Sequence, residues 1–283
     1  MKTKVIWFLL PSLLVMSISA FLPVMTVLNY SLHVLFPGSI PQYVGLQNFK
    51  DALADAKLIN AMGRQFIYTI EILLIEIPLG LALALTLPRR GIFVGLVLVL
   101  LGIPLLIPWN VVGIMWRLFV RSDIGVLPAA FARIGLAYSV ETPGDAWWTI
   151  VIMDVWHWAP LVTLLCYAGL QAIPQEFYQA AKVDAASKVA TFRYVTLPKL
   201  RHVLIIAVLL RCMDSFKVYD EPFILTAGGP GSSTELLSMY VSRQAIGAFN
   251  MGLSSAMSLV YFIIVLVLCY VLYIAMSKIG ERK

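Results

Sequence analysis

Six runs of roughly 20 or more largely apolar residues divide this chain, and that length is what an α-helix needs to cross a bilayer. They lie at about residues 5–30, 66–87, 92–120, 148–170, 202–225 and 254–277. With 60% hydrophobic residues, 13% charged residues and a mean hydropathy of +0.88, the chain has too little polar surface to enclose them in a soluble core. Lipid offers no hydrogen-bond partners to exposed backbone, so the spans are expected to be helices. The runs are also too long for the ~10-residue alternating strands of a membrane barrel. The expected class is an all-α integral membrane protein.

Two of the runs are marked as irregular. The third contains Pro104, Pro108 and Arg117, and the fifth contains Arg211, Asp214 and Lys217. Their outer ends are expected to leave the lipid or to line a polar space. Orientation follows from the basic residues, which concentrate on the cytoplasmic side. With the N-terminus inside, the inner segments carry Lys2, Lys4, Arg89, Arg90, Lys182, Lys188, Arg193, Lys199, Arg201, Lys278, Arg282 and Lys283, twelve of twenty-one. The outer segment from Asp123 to Trp147 carries only Arg133. Both termini and the segment around Tyr178 are therefore expected to face inward.

The net charge of +6 and pI near 9.2 come from residues at membrane ends, where anionic lipid attracts them, and this argues against a nucleic-acid partner. The first run continues too far past a signal-peptide core, so it reads as a retained span. Cys166, Cys212 and Cys269 lie in apolar runs without disulfide or zinc spacing.

One polar segment interrupts this pattern. Between the fourth and fifth runs, Pro174 suits the start of a helix, with Gln175 and Glu176 in the first turn, where the helix dipole favours an acidic group. Phe177, Ala180, Ala181 and Asp184 follow at three- and four-residue steps, so one face offers an aromatic side chain, two small ones and a carboxylate. Phe177 could anchor in a pocket of a partner and Asp184 orient the dock. An amphipathic helix on the lipid surface, with Phe177, Val183 and Phe192 dipping in, is the plainer alternative. Ser187 suits the cap of a second helical segment over about residues 188–196, which should stop before Leu197-Pro198.

The order of these residues, Glu176-Phe177-Tyr178-Gln179-Ala180-Ala181 through Asp184, Ala185 and on to Leu197-Pro198, resembles the cytoplasmic EAA loop of permease subunits in ATP-binding-cassette importers. Further segments resemble the carbohydrate-uptake permeases of that group: Gly45-Leu46 with Asn48-Phe49, then Pro78 to Ala84, then Trp156-His157-Trp158-Ala159-Pro160, and finally Asp214 to Asp220 with Gly228-Gly229-Pro230. The family pattern has Glu at Gln179, Gly at Ala185 and often Pro near His202. Alanine at 185 suggests a turn that needs no positive φ, or one packed more tightly.

The resemblance implies a type I importer permease fold with a coupling helix between the fourth and fifth spans. It implies a first helix and outer segment at 1–60, a five-helix core at 61–283, and a coupling loop at about 174–200. Glu176, Phe177, Tyr178, Ala180, Ala181, Asp184 and Ala185 would meet the ATPase. Trp156, Trp158, Asp214, Phe216, Lys217 and Tyr219 would line the substrate path, since aromatic faces stack on sugars and charged groups bond hydroxyls. Of the other ionisable residues at membrane depth, Glu71, Glu76, Asp154 and Asp220 are candidates, Asp214 and Lys217 could neutralise each other, and Asp220 and Glu221 are expected to reach outer water.

The chain has no Gly-x-x-x-x-Gly-Lys-Ser/Thr loop, so it is expected to bind no cofactor, with ATP and Mg on a partner ATPase dimer. No catalytic or metal-binding residue is expected. A second permease subunit, an extracytoplasmic substrate-binding protein and membrane lipid complete the implied partners, in a bacterial or archaeal cytoplasmic membrane. The cargo would be a sugar, polyol or phosphorylated polyol. A stand-alone secondary transporter or channel is the alternative, but the two halves show no clear repeat. A lipid-acting enzyme using Asp154, His157 and His202 is weaker still, because these lie at opposite ends of spans.

Overall fold

A computed structural model describes residues 2–89 and 91–281, with side chains for residues 10–89, 91 and 93–274. The basic side chains of Lys2, Lys4, Arg90, Lys278, Arg282 and Lys283 lie outside the described ones. In chain order the elements are α1 (Lys2–Ser31), β1 (His33–Val34), β2 (Gln42–Tyr43), α2 (Gln47–Ala54), α3 (Ala56–Thr86) and α4 (Ile92–Gly102). A 3-10 turn at Pro104–Leu106 leads to α5 (Trp109–Phe119), α6 (Val126–Arg133), α7 (Pro143–Gln171), α8 (Gln175–Val183) and α9 (Lys188–Thr191). A π-turn at Phe192–Thr196 precedes α10 (Leu197–Ser215), α11 (Asp220–Thr226), α12 (Leu237–Ser242), a second π-turn at Arg243–Gly247 and α13 (Met251–Glu281).

Four helices are long and apolar enough to cross a membrane among the described residues: Leu10–Ser31, Ala56–Thr86, Pro143–Gln171 and Met251–Ile274. The third and fifth apolar runs are broken. In the third, Pro104 and Pro108 cannot donate backbone hydrogen bonds, and the chain passes through α4, the 3-10 turn and α5 in place of one helix. In the fifth, Pro222 would leave the Val218 carbonyl without its helical donor, and α10 ends at Ser215. The Ser238 hydroxyl takes over, donating to that carbonyl at 2.5 Å.

The chain forms two compact units, one of residues up to Met62 with Met239–Val267, the other of Gly63–Ser238 with the residues from Leu268. In the first, β1 and β2 pair antiparallel, with His33 opposite Tyr43. Asn48, buried at the start of α2, donates to the Ser31 and His33 carbonyls, each at 2.9 Å, and so ties the end of α1 to the hairpin. Gly252 is needed beside it, since a Cβ there would stand 2.1 Å from the His33 carbonyl oxygen. The Asp55 carboxylate accepts the Lys57 N–H at 2.8 Å, capping α3, and the Tyr240 hydroxyl at 2.5 Å.

In the second unit α3, α7 and α10 meet through small residues. A Cβ on Gly80 would lie 2.6 Å from Val162 Cγ1, and one on Gly169 would lie 2.8 Å from Leu200 Cδ2. Close backbone approach matters here because lipid tails are as apolar as the side chains, which leaves packing as the main attraction between helices. Ala84 is buried with Gly80, but Ala82 is exposed, so the small-residue stretch serves packing on one face only. Ala84, Val162, Cys166, Leu170, Leu200 and Ala207 form a cluster where the three helices converge. The cysteines are free.

After α11, Ala227 adopts φ +51 and Gly228 φ +91, and the Gly229-Pro230 peptide is cis. Thr234 pins this turn, its hydroxyl donating to the Gly229 carbonyl at 2.8 Å while its N–H bonds the Gly228 carbonyl at 3.2 Å.

Candidate functional site

The polar segment between α7 and α10 folds as two short helices joined by a tight turn. At the end of α8 the Ala185 N–H bonds the Lys182 carbonyl at 3.1 Å and the Ala186 N–H bonds the Ala181 carbonyl at 2.9 Å. These two bonds define a Schellman cap, which requires a left-handed residue at its corner. Ala185 supplies it with φ +51, so the expectation of a turn without positive φ is overturned. The pair of closing bonds holds alanine in a conformation that glycine adopts more readily.

Ser187 caps α9, its hydroxyl accepting the Ala190 N–H at 3.1 Å. The helix does not stop before Leu197-Pro198. Instead the Leu197 N–H reaches back to the Phe192 carbonyl in a π-turn, which shifts the carbonyls clear of the Pro198 ring and lets the chain run on into α10.

The faces of α8 divide sharply. Ala181 is buried, and Tyr178 is half-buried against the α3, α7 and α10 cluster, with its hydroxyl 3.3 Å from Thr196 Oγ1 and the Arg89 guanidinium 4.5 Å above its ring. Glu176, Phe177, Ala180, Asp184 and Ala185 are exposed. The Lys199 ammonium stands 4.1 Å from the Phe177 ring centre. The Phe177 ring is 41% exposed and the Val183 side chain 86% exposed, so the rest of the described chain covers neither. Tyr178 and Ala181 thus join the segment to its own core, while Phe177, Ala180 and Asp184 face away from it.

At the opposite, broken end of α10 lies a buried ionic cluster. Arg211 donates to Glu76 through Nε at 2.7 Å and Nη2 at 3.1 Å, and through Nη2 to Asp154 at 2.5 Å. All three are at most 1% exposed. One turn further along α7, His157 Nδ1 bonds the Glu221 carboxylate. Glu221 is 2% exposed, so it does not reach outer water as expected; α11 packs on α5 and α7 and turns this side chain inward. Three carboxylates thus face one guanidinium and one imidazole. Asp154 Oδ1, Glu221 Oε2 and the Tyr68 hydroxyl have no hydrogen-bond partner among the described residues. Charge so deeply buried is costly and is kept where it positions something.

Beside this cluster, Trp158, Asp214, Tyr219, Asp220 and Glu221 line a crevice with Trp109. The Arg211 guanidinium lies 4.8 Å over the Trp158 ring, and Trp109 is 6.4 Å from it. The crevice is narrow, with a free volume of ≈ 10 Å³. Next to it, sharing Trp109 and Asp220, an open hollow of ≈ 460 Å³ is walled by residues 105–110.

The expected path residues therefore separate. Trp158, Asp214 and Tyr219 come together at the crevice. Lys217 pairs with Asp214 at 3.0 Å. Phe216 is 1% exposed and packs edge-on against Phe66 at 5.4 Å, which makes it a core residue and not a lining one. Trp156 turns to the other side of α7 and meets Trp116 at 6.2 Å. Glu71 accepts the Trp147 indole N–H at 2.7 Å. His202 is exposed on α10, apart from Asp154 and His157 in their buried cluster. Sequence reasoning passed over Trp109 and the role of Arg211, although an arginine deep in an apolar run was the available signal.

Comparison with known proteins bears on all of this. A family model described as the inner membrane component of binding-protein-dependent transport systems matches residues 76–283. The probable ABC transporter permease protein y4oQ of Sinorhizobium fredii is 32% identical over 93% of this chain and 87% of its own. The trehalose/maltose transport system permease protein MalF of Thermococcus litoralis is 35% identical over 91% of this chain and 88% of its own. A chain from the crystal structure of a bacterial alginate ABC transporter, in complex with an alginate pentasaccharide-bound periplasmic protein, superposes with a TM-score of 0.83. The superposition covers 99% of this chain and 97% of that one at 19% identity, a likeness of fold. With a family model over most of its length and two relatives above 30% identity, the chain belongs to the inner membrane components of binding-protein-dependent transport systems: it is a membrane-embedded, non-catalytic permease subunit of an ABC transporter.

Proposed function

We propose that this chain is one half of the translocation path of an importer for a sugar, polyol or related small carbohydrate, driven by a separate ATPase dimer and supplied by an extracytoplasmic binding protein. In this reading the chain crosses a bacterial or archaeal cytoplasmic membrane six times, with α4 plus α5 and α10 plus α11 each crossing as a broken pair, and with both termini in the cytoplasm. A second permease subunit completes the path. ATP and Mg are held by the ATPase and not by this chain.

The observation that carries the reading is the join between the exposed loop and the crevice. Tyr178 packs into the cluster of Val162, Cys166, Leu170 and Leu200. Trp158 sits one turn from Val162 on the same helix, and Arg211 closes over Trp158 from α10. A pull on Phe177 would therefore move α7 and α10 together, and these helices contribute Trp158 and Asp214 to the wall of the crevice. Alternating access in such a machine is a packed element with two arrangements, biased by ligands at both ends. The trehalose/maltose relative supports a sugar cargo, as do two tryptophans that can stack on a sugar face and carboxylates that can accept its hydroxyls.

Co-expression with candidate partner ATPases tests this reading. The wild-type chain should co-purify with the ATPase, and Phe177→Ala or Asp184→Lys should lose it while still inserting in the membrane. Undiminished uptake by the chain without any ATPase would overturn the proposal.

A further inference from the structure

We propose that the groove between α8, α9 and the last turn of α3 binds an anionic phospholipid of the adjoining leaflet. Leu85 forms one wall and belongs to the final turn of a membrane-crossing helix, so the groove lies at the lipid-water boundary. Val189, Phe192, Tyr178 and Ala186 continue a mainly apolar trough of ≈ 630 Å³, which Thr191 and Thr196 also line. A second hollow of ≈ 190 Å³ adjoins it, sharing Leu85, Tyr178 and Thr196, and takes in Arg89.

The charges around this trough have one sign. Lys182 and Lys188 line the larger hollow and Arg89 the smaller, and no carboxylate is among the described lining residues. Neither lysine has an ion-pair partner among the described residues. Arg89 is fixed over the Tyr178 ring, and its carbonyl is held by the Gln171 side chain at 2.9 Å, so its position is set by the fold.

A free inorganic anion would satisfy the cations but has no use for an apolar trough. A zwitterionic lipid would fill the trough but brings its own ammonium towards three cations. A phosphate with net negative charge on a glycerol and acyl stem matches both halves, and basic pockets at the ends of membrane helices are where such headgroups bind. The groove lies on the buried side of α8, behind Tyr178 and away from Phe177. A lipid seated there would stiffen the connection between the exposed loop and the helix core.

Native mass spectrometry of the full-length chain, released from membranes containing phosphatidylglycerol and phosphatidylethanolamine of matched acyl chains, tests this directly and needs no partner subunit. One phosphatidylglycerol should be retained in preference to phosphatidylethanolamine. Retention should fall about 5-fold for each lysine removed in Lys182→Gln and Lys188→Gln. Ala186→Trp, which fills the trough without changing charge, should lower it as well, and Lys57→Gln, an exposed lysine elsewhere, should leave it unchanged. Equal retention of the two lipids, insensitivity to both the lysine and the tryptophan variants, or displacement of the lipid by inorganic phosphate alone would overturn the proposal. Because ATPase association is a separate readout, failure of the importer reading and failure of lipid binding cannot be confused.

Discussion

Arg211 grips Glu76 with two nitrogens, at 2.7 and 3.1 Å, and so ties α10 to α3. Its Nη2 also reaches Asp154. Removing the cation while leaving two buried carboxylates is the costly way to break such a site, on the order of 3–5 kcal/mol. Arg211→Met should therefore lower the thermal unfolding midpoint in detergent substantially. The triple variant Glu76→Gln, Asp154→Asn, Arg211→Met should recover most of that loss, because no charge is then stranded. Equal instability of the single and triple variants would mean that packing of the arginine stem matters more than its charge.

Four of the six expected spans were legible because the bilayer imposes one length and one polarity on a crossing helix, and runs such as 148–170 meet both. The break in the third run was signalled by Pro104 and Pro108. The irregularity of the fifth run was signalled by Arg211, Asp214 and Lys217, but the place of its break was not: no glycine or proline stands at Ser215, and the position follows from Pro222 downstream together with a hydroxyl at Ser238, 20 residues from the carbonyl it satisfies. The ionic cluster was hidden for a similar reason. Arg211 is separated by 135 residues from Glu76 and by 57 from Asp154, and periodicity carries no pairing information over such distances. Residue type also misled where helix phase decides. Trp156 and Trp158 are two positions apart on α7 and therefore point to different sides, and only Trp158 lines the crevice.

Ala185 offers a test of the loop turn in isolation. An alanine in the left-handed region costs about 1 kcal/mol relative to glycine there, partly offset by the greater freedom glycine has when unfolded. Ala185→Gly should slow amide exchange at Ala185 and Ala186, the two closing donors, and Ala185→Val should speed it. Faster exchange in the glycine variant would show that the turn gains more from a stiff backbone than it loses to strain.

Two glycines at helix crossings should respond differently to the same added methyl group. At Gly80 the new Cβ would meet Val162 Cβ at 2.7 Å and the Thr163 backbone nitrogen at 3.0 Å, neither of which can move without shifting α7. At Gly169 it would meet Leu200 Cδ2 at 2.8 Å and Val203 Cγ2 at 2.9 Å, the outer atoms of side chains. Overpacking costs typically 1–3 kcal/mol, and the figure depends on what can give way. Gly80→Ala should fall at the upper end of that range and Gly169→Ala near the lower end, measured as loss of folded protein on heating in detergent. The reverse order would mean that α10 is held more rigidly than α7.

The division among the aromatic residues yields the sharpest test of the crevice. Trp158 lines it, Phe216 is packed against Phe66, and Trp156 leans on Trp116 on the far side of α7. In a reconstituted transporter, Trp158→Ala should reduce sugar uptake at least 10-fold while folded yield and ATPase association stay near wild type. Phe216→Ala empties a fully buried site and should cost about 3–5 kcal/mol of stability, so its uptake falls only in proportion to the folded protein that remains. Trp156→Ala should leave uptake per folded transporter close to wild type, because that ring touches no part of the crevice. Uptake that depends equally on Trp156 and Trp158 would place the substrate outside this crevice, on a path that reaches both sides of α7.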